Sequence, residues 1–115
     1  MATKASQLRT PRVFGTGLVA LDVVVNEKSS DPVQYYTGGT CGNVLLALRY
    51  LGWSFTPIAR LGTDPASSSI AKDLDRWKVN RDYIQRDEGE GTPIIIHKIT
   101  RNKSGQPVHS FSWRC

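Results

Sequence analysis

At 115 residues the chain is the size of one small domain or of a piece of a larger one. Hydrophobic residues make up 39% of it and charged residues 22%, a globular composition rather than a disordered one. The net charge of +5 does not mark a nucleic-acid binder, because the basic residues are scattered and Asp73, Asp75, Asp87, Glu88 and Glu90 lie among them.

The N-terminal Met1–Arg12 stretch is polar and basic, without the apolar stretch of a secretory signal, and reads as a disordered lead-in. No run reaches the length of a membrane-spanning helix, so neither a membrane nor a nucleic acid is expected as a partner. Cys41 and Cys115 form neither a metal-ligand spacing nor a disulfide framework, so a reducing, cytoplasmic setting is expected.

Val13 to Asn26 is rich in β-branched residues and predicts a long strand or a bent pair of strands. Its Val23-Val24-Val25 run predicts at least partial burial. Within this stretch Gly15-Thr16-Gly17 imitates a dinucleotide fingerprint, but that motif must open a helix, and Leu21-Asp22-Val23-Val24-Val25 favours a strand. Close backbone packing inside a sheet is the better account of Gly15 and Gly17. Asp22 is a lone carboxylate in this apolar run, where an unpaired charge is costly to bury, and so reads as an acceptor for ligand hydroxyls.

A polar turn over Glu27 to Pro32 leads to a second strand over Val33 to Thr37. Gly38-Gly39-Thr40-Cys41-Gly42-Asn43 then empties into an apolar helix from about Thr40 to Leu51, with Val44, Leu48 and Leu51 at core-facing spacing and Gly52 at its C-terminal stop. Paired glycines allow a ligand to approach bare backbone, first-turn N–H groups lack partners inside their helix, and Asn43 offers one acceptor and two donor hydrogens. Together they suggest a cradle for a polar ligand.

Phe55 to Leu61 predicts a buried strand with Pro57 awkward in its middle. Asp64-Pro65 predicts a capped helix start, and Ile70, Leu74 and Trp77 set the buried face of that helix, with Lys72, Asp73, Asp75 and Arg76 on the other. This alternation of strands and helices implies βαβ units and a parallel sheet. Ile94 to Thr100 and Val108 to Trp113, joined by a turn over Arg101 to Gln106, predict an antiparallel hairpin that leaves the body and pairs with the 23–26 and 33–37 region as a separate sheet. His97 and His109 could face each other across it, but two histidines without a third ligand make a poor metal site, and none is expected. No phosphate loop and no nucleophile–histidine–acid set is legible, so no catalytic residue is assigned.

The ordered series from Gly17 and Asp22 through Gly38-Gly39-x-x-x-Asn43, Leu51-Gly52, Leu61-Gly62-Thr63-Asp64, a turn with Val79 and a strand led by Thr92 resembles the N-terminal part of the ribokinase-like (PfkB) carbohydrate kinases. The resemblance implies an α/β fold: a ribokinase-like three-layer αβα, Rossmann-like body with a small β-sheet lid. Residues 13–115 would form the N-terminal part of such a kinase domain, with lid strands near 22–37 and 93–113. It implies substrate binding by Asp22, Gly38, Gly39 and Asn43, and transfer of the γ-phosphate of ATP to a sugar hydroxyl with Mg²⁺ in the complete enzyme. Ala20 stands where ribokinases carry a hydroxyl-binding asparagine, which points away from ribose. The family's C-terminal Gly-Ala-Gly-Asp motif, with its catalytic base and most of the ATP site, has no counterpart here. The fragment alone is therefore expected to bind neither ATP nor Mg²⁺ and to be inactive. The rival expectation is a non-catalytic truncated homologue that binds sugar or forms a homodimer through the lid sheet.

Overall fold

The computed structural model describes residues 9–114. The expected lead-in over residues 1–12 lies mostly outside that range, as does Cys115. Seven strands and two helices follow in order: β1 (Arg12–Thr16), β2 (Ala20–Asn26), β3 (Val33–Gly38), α1 (Gly39–Tyr50), β4 (Ser54–Leu61), α2 (Pro65–Arg76), β5 (Ile84–Arg86), β6 (Ile94–Arg101) and β7 (Pro107–Arg114). They form two sheets. A parallel sheet has the order β1-β4-β5, and a mixed sheet has the order β3-β2-β6-β7. The stretch from Val13 to Asn26 is thus two strands in different sheets, divided at Gly17, whose φ of +139° suits glycine. The dinucleotide alternative fails here, because Gly15–Thr16 closes a strand and no helix follows.

The body is held by Val19, Leu21, Cys41, Leu45, Phe55, Leu61, Ile70, Leu74 and Val79. Gly15 packs against the Phe55 ring so closely that any side chain there would overlap it. Val13, Phe55, Ala59 and Leu61 share one face of the parallel sheet and join the helices in this core. The reverse face carries Phe14, Ile58 and Tyr83 in the open. Of the three expected layers, the described residues supply the sheet and helices on one of its faces.

Pro57 is fully buried in β4, the middle strand. Ser54 N donates towards β1, to the Pro11 carbonyl, and Ala59 N donates towards β5, to the Tyr83 carbonyl. Alternation puts the Pro57 nitrogen on the β5 side, where pairing begins only at Ala59, so no ladder bond is lost.

Two features of the helices correct the sequence expectation. In α1 the buried side chains are those of Cys41 and Leu45, beside buried Gly39 and Gly42, with Leu48 partly covered, while Val44 and Leu51 are 55% and 69% exposed. Val44-Leu45-Leu46 offers an apolar stripe on more than one side, so periodicity alone did not select the right one. In α2, Asp73 lies on the buried side instead of the solvent side, at 8% exposure. Its Oδ2 accepts the Thr37 N–H at 2.9 Å and so ties α2 to the end of β3.

The lid sheet follows the expected pairing. β2 runs antiparallel to β3 and parallel to β6, and β6 and β7 form the hairpin. Its Asn102–Gln106 turn is closed by the Asn102 side chain, and Gly105 takes a φ of +78°. Val23-Val24-Val25 is only half-buried, because it crosses from the body into this one-layer sheet. β5, three residues long, was not foreseen. No helix is long and apolar enough to cross a membrane among the described residues.

Candidate functional site

The site forms where β2 and β3 enter the body and α1 begins. Asp22 and Gly38 lie on neighbouring strands, where Ala20 pairs with Gly38 and Asp22 with Tyr36. A Cβ on Gly38 would overlap the whole Asp22 carboxyl group, so only glycine leaves that carboxylate its place. Gly38 has an extended backbone, φ −142°, so what it contributes is space. Gly39 differs: its φ is +80°, and a side chain would strike the Leu18 carbonyl.

Asp22 Oδ1 is buried and has no hydrogen-bond partner among the described residues. Native structures leave few buried polar atoms unpaired, and an orphan acceptor of this kind suits a ligand donor. Burial raises the Asp22 carboxyl above its ordinary value, and the electrostatic effect of nearby His97 offsets only part of that rise.

The cradle expected at the mouth of α1 is narrower than the sequence implied. Cys41 N and Gly42 N both donate to the Leu18 carbonyl, at 2.9 and 3.3 Å. Those first-turn donors are therefore committed within the protein. The mouth of α2 is filled as well: Asp64 Oδ1 accepts from Ser67 N at 3.0 Å and from the Thr92 hydroxyl at 2.6 Å, while Oδ2 accepts from Thr92 N at 2.9 Å. Hydrogen bonds, first that from the Thr92 hydroxyl, hold the Asp64 carboxyl below the usual carboxylate range. The same Thr92 oxygen accepts the Gly62 N–H at 3.0 Å, so the Leu61–Asp64 turn fastens the start of the lid hairpin to the body.

Asp22, Gly38 and Gly39 thus come together. Asn43 lies one turn into α1, exposed, and nothing in the described residues joins it to Asp22. Neither of two clefts found at the surface is lined by Asp22 or Asn43. One, of about 540 Å³, lies between Asp64, Glu90, Thr92, Ile94 and Arg114. The other, of about 320 Å³, runs between β1 and α1 past Phe14, Cys41 and Val44. Cys41 is buried, and burial pushes its thiol up, which makes it a packing residue instead of a nucleophile.

On the lid, His97 Nε2 and His109 Nδ1 are 2.7 Å apart, and the His97 ring stacks on Phe111 with centroids 4.3 Å apart. The described residues contain no group of three His, Cys, Asp or Glu able to hold a metal. Sequence reasoning missed Asp73, although its position three residues after Ile70 places it on the buried stripe of α2.

The chain matches the pfkB family carbohydrate kinases over residues 12–109, and it belongs to that family. It is 30% identical over 79 residues to the fructosamine kinase FrlD of Bacillus subtilis (strain 168), a match covering 69% of this chain and 28% of that protein. A fructokinase of Vibrio cholerae O395 in apo form superposes with a TM-score of 0.72 at 21% identity, over 91% of this chain and 34% of that one. A sugar kinase of Pyrococcus horikoshii solved in complex with ATP gives 0.66 at 22% identity, over 86% and 33%. The fold is thus that of the ribokinase-like sugar kinases, and the chain spans about a third of the length of these relatives.

Proposed function

We propose that the chain is the sugar-binding half of an ATP-dependent carbohydrate kinase that transfers the γ-phosphate to a sugar hydroxyl. The observation that carries this is the orphaned, buried Oδ1 of Asp22 beside a gap that only Gly38 keeps open. Asp22 accepts from a sugar hydroxyl, Asn43 reads a second one, and Gly38 and Gly39 let the ring approach the backbone. The lid strands then limit water at the reacting hydroxyl, which would otherwise compete for the phosphoryl group.

In the complete enzyme ATP supplies the phosphoryl group and Mg²⁺ offsets its charge. The residues described here do not fit either one. The α2 mouth is occupied by Asp64, two first-turn donors of α1 are taken by Leu18, and no cluster of metal-binding side chains is present among the described residues. No catalytic role is therefore assigned within this chain, and the fragment by itself is expected to turn over nothing, since positioning without a base leaves most of the barrier in place.

Titration calorimetry with D-fructose, D-glucose, D-ribose and myo-inositol tests the proposal. Sugar heat that disappears in Asp22→Asn is the expected result. No heat with any of the four, or ATP-dependent phosphorylation by the fragment alone, would overturn this division of labour.

One observation favours a second reading, a non-catalytic module that dimerises through its lid. Every residue of β7 is exposed, and Phe111 and Trp113 lie on this edge strand. Sedimentation showing a dimer without sugar heat would support that reading over the first.

A further inference from the structure

Side chains alternate across the lid sheet, so strand register decides which residues share the face of Asp22. Across the sheet, Tyr36, Asp22, Ile95 and Trp113 form one row on that face. The next row outward is Gln34, Val24, His97 and Phe111, and His109 follows beyond it. His97 is thus the diagonal neighbour of Asp22, at a spacing of about 7–8 Å between backbones that long side chains bridge. Side chains reaching from the two positions can therefore meet one small ligand held between them.

We propose that His97 is a further ligand-contacting residue of this site, held in place by His109 and Phe111, and that it reads a hydroxyl next to the one taken by Asp22. The inference rests on the sugar-binding function proposed above. Three observations support it. The His97 ring is braced on Phe111, with an interplanar angle of 20°. Its Nε2 is engaged by His109 Nδ1, which leaves Nδ1 as the ring's other polar atom, without a hydrogen-bond partner among the described residues. A proton on His97 would lower the Asp22 carboxyl, which places the two groups in one electrostatic neighbourhood.

The pairing also gives His97 a chemical property that a solitary surface histidine lacks. In a neutral imidazole one nitrogen donates and the other accepts. When His97 Nε2 donates to His109, its Nδ1 accepts; when Nε2 accepts, Nδ1 donates. The tautomer of the pair therefore sets which sense of a sugar hydroxyl His97 complements without moving the ring; changing it takes a proton from solvent at His97 Nδ1 and releases one from His109 Nε2 as the hydrogen between the rings passes to His109. The other groups on this face nearest His97 and Asp22 are Val24, Ile95, Tyr36 and Gln34, none of them charged, and Tyr36 donates its hydroxyl to Gln34 at 2.8 Å. Lys98 lies on the opposite face, paired with Glu27 at 3.3 Å.

The test uses calorimetry with the four probes named above, on the wild-type chain and on Asp22→Asn, His97→Phe and His97→Gln. His97→Phe keeps the stacking and removes the polar atom, and is expected to weaken sugar binding about tenfold, the worth of one hydrogen bond. His97→Gln is expected to recover most of that loss. If Asp22→Asn abolishes binding while His97→Phe binds like the wild type, this inference falls and the sugar site stands. If the wild type binds none of the four, both fall together. Imidazole nitrogen NMR on the wild type removes any dependence on variant folding: His97 resonances must shift on saturation with the bound sugar, and an unmoved His97 overturns the proposal.

Discussion

Asp73 and Thr37, thirty-six positions apart, are joined by a buried hydrogen bond in which the Thr37 N–H donates to Asp73 Oδ2 at 2.9 Å. The bond fastens α2 to the end of β3 beside Gly38, and so steadies the strand that pairs with Asp22's strand. Arg76 reaches the other Asp73 oxygen at 3.6 Å from the solvent side. Asp73→Ala leaves a buried backbone donor unpaired and is expected to cost about 1–3 kcal/mol, read as a lower urea midpoint at unchanged slope. An unchanged midpoint would show that the bond carries no stability.

Gly38→Ala should act through space alone, since its backbone is open to any residue. The new methyl displaces the Asp22 carboxyl, which is expected to remove sugar heat and to cost about 1–3 kcal/mol through overpacking. Pairing it with Asp22→Gly gives the check: the double variant should regain stability while remaining unable to bind.

Asp22 and Asp64 are predicted to respond to acid with opposite signs. Asp64 has a folded pKa held below its unfolded value, so its contribution is present above about pH 4 and is lost as the pH falls through the folded value. Asp64→Ala removes that acid dependence together with a helix cap worth about 1 kcal/mol. A thermal denaturation series from pH 6 downwards would read both effects.

For Asp22 the folded pKa is raised, so the folded protein holds the proton more tightly than the unfolded chain. Ionisation there costs stability, a cost that appears as the pH rises from the ordinary carboxylate range through the folded value. Asp22→Asn is therefore expected to be neutral or mildly stabilising above that range while sugar binding is lost. A large fall in melting temperature would contradict an unpaired carboxylate at this position.

The bare reverse face of the parallel sheet, with Phe14 59% and Ile58 45% exposed, is expected to drive self-association of the isolated chain. Phe14→Ser with Ile58→Thr should raise the soluble monomer fraction in sedimentation without lowering the urea midpoint. No gain in monomer would place the association elsewhere.

Elements governed by neighbours in sequence were legible. The Asp64-Pro65 start of α2, the Gly52 stop of α1 and the 94–114 hairpin all depend on local turn and capping chemistry, and each occurs where that chemistry puts it. The apolar face of α1 was not legible, because Val44, Leu45 and Leu46 are alike in hydrophobicity and only the partner across the gap separates them. Asp73 was misplaced for a related reason: a carboxylate on a buried stripe makes sense only once the Thr37 N–H it serves is known.

By itself the sequence determined which residue types stand where: a lone carboxylate in an apolar strand, glycines ahead of a helix, two histidines in a hairpin. Those follow from local covalent geometry and side-chain chemistry. Tertiary structure alone decided that Gly38 makes room for the Asp22 carboxyl, that Leu18 claims the first donors of α1, and that Asp22 and His97 share one face of the lid. Each of these depends on strand register and on contacts between distant segments, and neither exists until the chain has folded.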